Sequence, residues 1–175
     1  MLKSYVRIFI VLFAAGVYGS ADHQPTALIK ETKIIGSLHE NEEVEMFLGL
    51  PFAAPPLDDL RWEKPIAWIP KPEKEIIANK FKPGCVQNQR IVNWYKRLIL
   101  DFGGDPDTFD VPKFSEDCLY LNLWRPKGIK NNLPVIVYIH GGSNKAGWSY
   151  EPNYLGHNIC LLYTSPSPRD SVKSR

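Results

Sequence analysis

The chain has 175 residues, of which 44% are apolar, 23% are charged and 12% are aromatic. This composition is typical of a globular protein, and the length suits one hydrophobic core, so we expect a single domain. The formal charge of +2 comes without a stripe of lysine and arginine, which argues against nucleic acid as a partner. Fifteen prolines, many of them clustered, predict loop-rich stretches between short strands.

The first residues have the form of an export signal. Lys3 and Arg7 precede an apolar run over residues 8–17, and the small residues 19–21 follow it. This order is typical of a secretory signal peptide, so we assign residues 1–20 to one and predict a secreted, extracellular protein. An uncleaved membrane anchor is the alternative, but such a short apolar run covers only about half of a bilayer.

The next elements are short. Ala27–Ile35 and Glu43–Leu48 are rich in β-branched or alternating apolar residues, and the turn residues between them predict a β-hairpin. Glu73–Asn79 is compatible with either a strand or a short helical turn, and the sequence leaves both open. Arg90–Leu100 contains neither Gly nor Pro and is the best helical candidate.

Two further strands are predicted later in the chain. Leu119–Trp124 alternates, with leucines on the face that we expect to point inward and Tyr, Asn and Trp on the other face. Leu133–Ile139 is almost continuously apolar, which is typical of a strand covered on both faces, and it runs into His140-Gly141-Gly142. Such a turn can present backbone N–H groups to a developing oxyanion, although a glycine-rich turn without chemistry is the more common structure.

The last residues of the chain differ in sequence character from the rest. Residues 160–170 resemble the translation of a transposase adapter that is used to build short-read sequencing libraries. We therefore predict that residues 160–175 are not native and that the domain occupies residues 21–159; a genuine Ser/Pro-rich disordered tail is the alternative. Without Cys160, two cysteines remain, Cys85 and Cys118, which can pair in an exported protein or stand as two independent buried thiols.

Four blocks together resemble the N-terminal part of the type-B carboxylesterase/cholinesterase family. They are Phe47–Pro56 with Leu60-Arg61-Trp62, then Cys85, then Ser115–Trp124, and finally Pro134–Gly142, in the family's order. The resemblance covers residues 27–159 but only about the first third of a family member. It implies the α/β class and, more closely, an incomplete N-terminal portion of the α/β-hydrolase fold, with an N-terminal hairpin and the first strands of the central sheet.

The resemblance also implies structural roles for four residues. Cys85 and Cys118 match the family's first disulfide, which closes a loop at the rim of its active-site gorge. Arg61 and Glu116 match a buried ion pair that ties the proline-rich segment to the following strand. A planar guanidinium suits a buried carboxylate because an unpaired charge would be costly there, whereas a loose surface pair would contribute little.

The catalytic expectation rests on backbone groups alone. Gly141, Gly142 and Ser143 match the family's oxyanion segment, in which two or three N–H groups stabilise the tetrahedral intermediate. His140 matches a supporting position, so we expect no catalytic role for it. Neither a cofactor nor a metal is expected.

The chain departs from the family's pattern in three ways. Ser143 and Asn144 stand where most members have Gly and Phe; a Ser keeps its amide in place if its φ is negative. Thr108-Phe109 occupies the region where cholinesterases carry a Trp that binds quaternary ammonium, so a choline substrate is disfavoured. No Gly-x-Ser-x-Gly occurs, so no nucleophile elbow and no triad can form, and we expect the 175-residue chain to be inactive.

Three hypotheses follow. The first is a fragment of a secreted serine carboxylesterase that acts on small esters through an acyl-enzyme. The second is a fragment of a non-catalytic, cholinesterase-like adhesion or receptor ectodomain with a protein partner, which Ser143-Asn144 favours. The third is a naturally short secreted binding protein. A nucleophile elbow with or without Ser in a longer reading frame would separate the first two.

Overall fold

The computed structural model describes residues 24–72, 74–129 and 132–164. The predicted signal peptide lies outside these residues, as does the tail after residue 164. In the described ranges, no helix is both long and apolar enough to cross a membrane. The strands and helices in chain order are β1 (Thr26–Ile29), β2 (Thr32–Ile35), β3 (Ser37–Leu38), β4 (Val44–Pro51), β5 (Glu75–Ile77), β6 (Gly84–Cys85), α1 (Arg90–Asp101), β7 (Phe114–Ser115), β8 (Tyr120–Pro126) and α2 (Gly156–Thr164).

The first sheet has the order β1-β2-β5. β1 and β2 form a tight antiparallel hairpin, and β5 pairs with β2 in parallel. The predicted hairpin is therefore wrong in its pairing: the run 27–35 folds back on itself at Lys30, whose φ of 54° lies in the left-handed region used by turns. The sequence leaves a strand and a helical turn open for residues 73–79, and the structure has a strand over Glu75–Ile77.

The second sheet has the order β3-β4-β8 and is antiparallel throughout. β4 is its central strand, and its partner in the hairpin is the short β3 rather than the run before Gly36. The register of β4 against β8 shifts between Phe47 and Leu50, where Gly49 takes a φ of 73° and donates its N–H to Asn122 Oδ1 at 2.9 Å. A bulge of this kind bends the strand that carries it.

Helix α1 confirms the helical prediction and extends it by one residue, to Asp101. Its apolar side buries Val92 and Tyr95 against Trp148. The two-residue strands β6 and β7 pair in parallel just before and after this helical region. Together they bring the segment after Cys85 close to residues 147–151.

The core is divided into two clusters. One joins the two sheets through Ile34, Phe47, Leu50 and Ala78, all of them buried. The other forms where α1 meets the segment around Trp148. Arg125 and Glu45 form a largely buried ion pair beside the first cluster, with the guanidinium carbon 4.9 Å from the centroid of the Phe47 ring.

Two apolar surfaces differ from what the sequence predicts. On β8, Leu121 and Leu123 are 40% and 42% exposed, and it is the opposite face that is covered, by α2 and by Ser149. The predicted inward orientation of these leucines is therefore wrong. The predicted strand Leu133–Ile139 is also absent: no described segment pairs with its backbone, and Val135, Val137 and Ile139 are each about four-fifths exposed.

Candidate oxyanion site

The segment 133–139 leads into a tight turn over residues 141–148, here called the glycine turn. The carbonyl of Gly142 accepts hydrogen bonds from the N–H groups of Lys145 and Ala146, at 3.0 and 3.3 Å. Gly142 has a φ of 122°, and a Cβ atom at this position would collide with the carbonyl oxygen of Ala146. Only glycine fits here.

The N–H groups of the first three residues of the turn are available. No acceptor among the described residues takes a hydrogen bond from the amide of Gly141, Gly142 or Ser143. A Cβ atom added to Gly141 would meet nothing within 4 Å, so the space in front of this residue is open. Unpaired amides beside open space meet one of the chemical requirements for holding an anionic oxygen.

Ser143 and Asn144 adopt a backbone that the sequence did not predict. Their φ angles are 59° and 53°, so both lie in the left-handed region, and the negative φ that would have kept the Ser143 amide in place is not found. Asn tolerates this region better than Ser because its short side chain bonds to the local backbone. The turn therefore carries strain mainly at Ser143.

Gln87 contacts the glycine turn from outside, and the sequence analysis did not single it out. Its side-chain Oε1 accepts a hydrogen bond from the Gly147 N–H, and its Nε2 donates to the Gly147 carbonyl at 2.8 Å. Nε2 also donates to the carbonyl of Cys85 at 3.1 Å. The only signal in the sequence is its position two residues after Cys85.

A buried acid holds the far end of the same turn. Glu151 is 6% exposed; it accepts a hydrogen bond from the Tyr95 hydroxyl at 3.2 Å and another from the Trp148 N–H at 3.4 Å. Burial, reinforced by the Glu151 carboxylate, raises the pKa of Tyr95 to about 12. One face of Tyr95 stacks on Phe109, with ring centroids 5.2 Å apart, so Phe109 is packed against helix α1.

The disulfide is formed. Cys85 and Cys118 are joined with Cα atoms 4.9 Å apart, while Cys160 is free. Directly after it, the Tyr120 hydroxyl donates to Asp117 at 2.8 Å, and burial followed by this hydrogen bond raises the pKa of Tyr120 to about 12. The disulfide thus connects the segment that carries Gln87 to the start of β8.

The ion pair between Arg61 and Glu116 is formed but is not buried. Arg61 Nε lies 2.6 Å from Glu116 Oε1, and the two side chains are 54% and 40% exposed. The predicted burial is wrong for this chain, because about half of each side chain remains accessible to water. An ion pair with this exposure contributes at most about 1 kcal/mol.

The described residues contain no other part of a hydrolytic site. His140 Nδ1 lies 2.9 Å from the carbonyl oxygen of Gly141, which is a local contact within the turn. No group of three potential metal ligands is found in the described part of the chain. The site consists of backbone amides and the side chains that hold them.

A family model described as the carboxylesterase family matches residues 23–161. The chain belongs to this carboxylesterase family. It is 33% identical over 150 residues to the fumonisin B1 esterase of Sphingopyxis macrogoltabida, covering 83% of this chain and 24% of that protein. It is 32% identical over 157 residues to carboxylesterase 1E of Rattus norvegicus, covering 81% of this chain and 25% of the relative.

Solved structures agree with this assignment. A PNB esterase matches with a TM-score of 0.64 and 29% identity, covering 79% of this chain and 25% of the esterase. Aspergillus niger EstA matches with a TM-score of 0.57 and 26% identity, covering 79% and 23%. The predicted fold class, an incomplete N-terminal portion of an α/β-hydrolase, is confirmed. The chain spans about a quarter of the length of these relatives.

Proposed function

We propose that this carboxylesterase-family chain is the N-terminal part of a secreted serine hydrolase that cleaves carboxylic esters through an acyl-enzyme. The observation that carries the proposal is the set of unpaired amides at Gly141, Gly142 and Ser143, with open space beside Gly141. The form of residues 1–20 supports secretion. The names of relatives, which include esterases and a lipase, support an ester substrate.

The chemistry assigned to the glycine turn is electrostatic. When a serine attacks an ester carbonyl, the carbonyl oxygen gains a negative charge, and amides already aimed at that position stabilise it without reorganising. Loss of one such donor typically costs about 3–4 kcal/mol in the transition state. The nucleophilic serine and its partners would lie outside this sequence, so we expect the 175-residue chain to be inactive.

A non-catalytic adhesion or receptor ectodomain is the second candidate. The observation that favours it is the strained pair Ser143-Asn144, since both residues have positive φ at a place where the amide geometry matters most. In this case the partner would be a protein, and the glycine turn would be only a structural feature.

The first experiment is to extend the reading frame beyond Ile159 from a library made without the adapter. A frame that continues into Gly-x-Ser-x-Gly and a later His supports the esterase, and the purified protein should hydrolyse a p-nitrophenyl ester. An elbow without Ser overturns this proposal in favour of the ectodomain. If the tail of residues 160–175 is reproduced in the transcript, our interpretation of it as adapter sequence is wrong.

A matched pair of glycine variants tests the role of the turn in the longer protein. Gly142→Ala should lower kcat at least 100-fold, because a Cβ atom there collides with Ala146 and displaces the amides. Gly128→Ala is the control: its φ of 80° is similarly left-handed, but nothing lies within 4 Å of the added atom. Equal kcat values for the two variants would contradict an oxyanion role for the turn.

A further inference from the structure

Gln87 holds both backbone groups of one residue in the glycine turn. Its Oε1 lies 2.5 Å from the amide nitrogen of Gly147, and its Nε2 lies 2.8 Å from the carbonyl oxygen of the same residue. A side-chain amide can do this because it carries an acceptor and a donor on one plane. The peptide units on both sides of Gly147 are therefore fixed in orientation.

Gly147 in turn lies directly against the peptide that joins Gly141 to Gly142. A Cβ atom at Gly147 would be 2.5 Å from the carbonyl oxygen of Gly141 and 2.6 Å from His140 Nδ1. That carbonyl belongs to the same planar peptide unit as the Gly142 N–H. A displacement of Gly147 toward this peptide would therefore press on the unit that carries the Gly142 N–H.

The same amide group of Gln87 also contacts the disulfide segment. Its Nε2 also donates to the carbonyl of Cys85, and Cys85 is covalently joined to Cys118. The two hydrogen bonds to Gly147 are partly buried and therefore partly shielded from competing water, whereas the bond to the Cys85 carbonyl is exposed. A continuous path of contacts thus runs from the disulfide through Gln87 and Gly147 to the Gly141 carbonyl.

We propose that Gln87 is a positioning residue that holds the Gly142 N–H in the direction needed to bind the oxyanion. This inference rests on the proposed esterase function, since it assigns Gln87 a role in that site. Gln87 does not contact the reacting atoms, and it acts through Gly147. A donor displaced by as little as 1 Å can cost up to about 100-fold in rate.

The test uses Gln87→Ala in the full-length protein, with Gln89→Ala as the matched control. Gln89 is exposed, and its side chain forms no capping hydrogen bond at the start of α1. Gln87→Ala should lower kcat for a p-nitrophenyl ester by about 10- to 100-fold while KM stays within twofold of the wild-type value. A purely structural role predicts a loss of folded protein with unchanged kcat per active site, measured by titration with a covalent serine inhibitor.

A second variant adds a signature that folding defects do not produce. Gln87→Glu places a carboxylate beside the carbonyl oxygens of Gly147 and Cys85, which repel it when it is ionised. Protonation restores the donor, so the ratio of its kcat to that of the wild type should rise as the pH falls from 8 to 5. A ratio that does not change with pH contradicts the proposal.

Hydrogen–deuterium exchange separates failure of this inference from failure of the proposed function. If the wild-type full-length protein hydrolyses no ester, the proposed function fails. Exchange at residues 144–148 then shows whether Gln87 holds Gly147 in place. Exchange at the Gly147 amide should be at least tenfold faster in Gln87→Ala than in Gln89→Ala. Equal exchange in the two variants, or an active Gln87→Ala enzyme with wild-type kcat, overturns the assignment.

Discussion

Strand β4 and the segment 133–139 are both apolar runs, yet only β4 is a strand. Within β4, Val44 and Phe47 are 0% and 1% exposed, and the strand pairs with β3 on one edge and β8 on the other. Val135 and Val137, in the segment, are 83% and 79% exposed, and no described strand pairs with them. The difference teaches that an apolar run forms a strand only where a neighbouring backbone satisfies its N–H and C=O groups.

The segment 133–139 nevertheless has a defined end. Its last residues enter the glycine turn, which Gln87 and Glu151 hold against the rest of the chain. An exposed apolar segment with unpaired backbone groups is a template for association with another strand, so this part of the chain is a predicted site of aggregation. The comparison between the ordered, paired part of the chain and the exposed segment 133–139 can be tested in four ways.

The largest effect is expected from removal of the disulfide. This change tests how far the stability of the folded region depends on the cross-link. Replacing both Cys85 and Cys118 by Ser should lower the free energy of unfolding by about 4 kcal/mol, because the unfolded chain regains the entropy of an open loop. Urea denaturation measures this loss. Cys160→Ser is the control and should change little, since this thiol is free. Equal midpoints for the two variants would show that packing alone orders the region.

A pair of isoleucines compares the two regions directly. Ile34→Ala, in buried β2, should cost about 3 kcal/mol in the free energy of unfolding, since it removes apolar atoms from the core. Ile139→Ala should stay within about 0.5 kcal/mol because its side chain is 83% exposed. Both values come from urea denaturation of the 175-residue chain. A large cost at Ile139 would mean that the segment is covered in solution, and the comparison would fail.

The anchoring of the glycine turn by Tyr95 should appear at alkaline pH. The pKa of Tyr95 is raised to about 12, so the unfolded chain releases this proton first, and stability falls as the pH rises from about 10 through about 12. The loss at pH 11 should be about 1 kcal/mol for this residue. Tyr95→Phe removes this part of the pH dependence, which circular dichroism in urea would measure. Tyr120→Phe should act similarly; an unchanged slope in both variants contradicts the assignment.

The smallest effect is expected at Ser143. Ser143→Gly relieves a left-handed backbone but makes the unfolded chain more flexible, so a net gain of about 0.5–1 kcal/mol is expected. Asn144→Gly should gain less, because Asn already tolerates this backbone region. Thermal unfolding of both variants measures the difference. A loss of stability in Ser143→Gly would show that the turn is not strained.

Much of the candidate site could be predicted from the sequence because its residues are local in the chain. The turn needs glycine at Gly142 for steric reasons, and helix α1 begins and ends close to the predicted residues because no Gly or Pro interrupts it. The contacts of Gln87 and Glu151 could not be read, since they depend on residues about 60 positions apart meeting through packing. The positive φ of Ser143 was missed because a serine rarely adopts it.

By itself, the sequence determined the family, the pairing of the two cysteines implied by it, helix α1 and the glycine turn, because these follow from short motifs and local backbone preferences. Only the tertiary structure decided which strands pair, which face of β8 is covered and whether the Arg61–Glu116 pair is buried. Strand pairing and burial depend on which other segments of the folded chain lie beside a given segment. The apolar pattern of residues 133–139 specifies a strand only if a partner backbone is present to receive it.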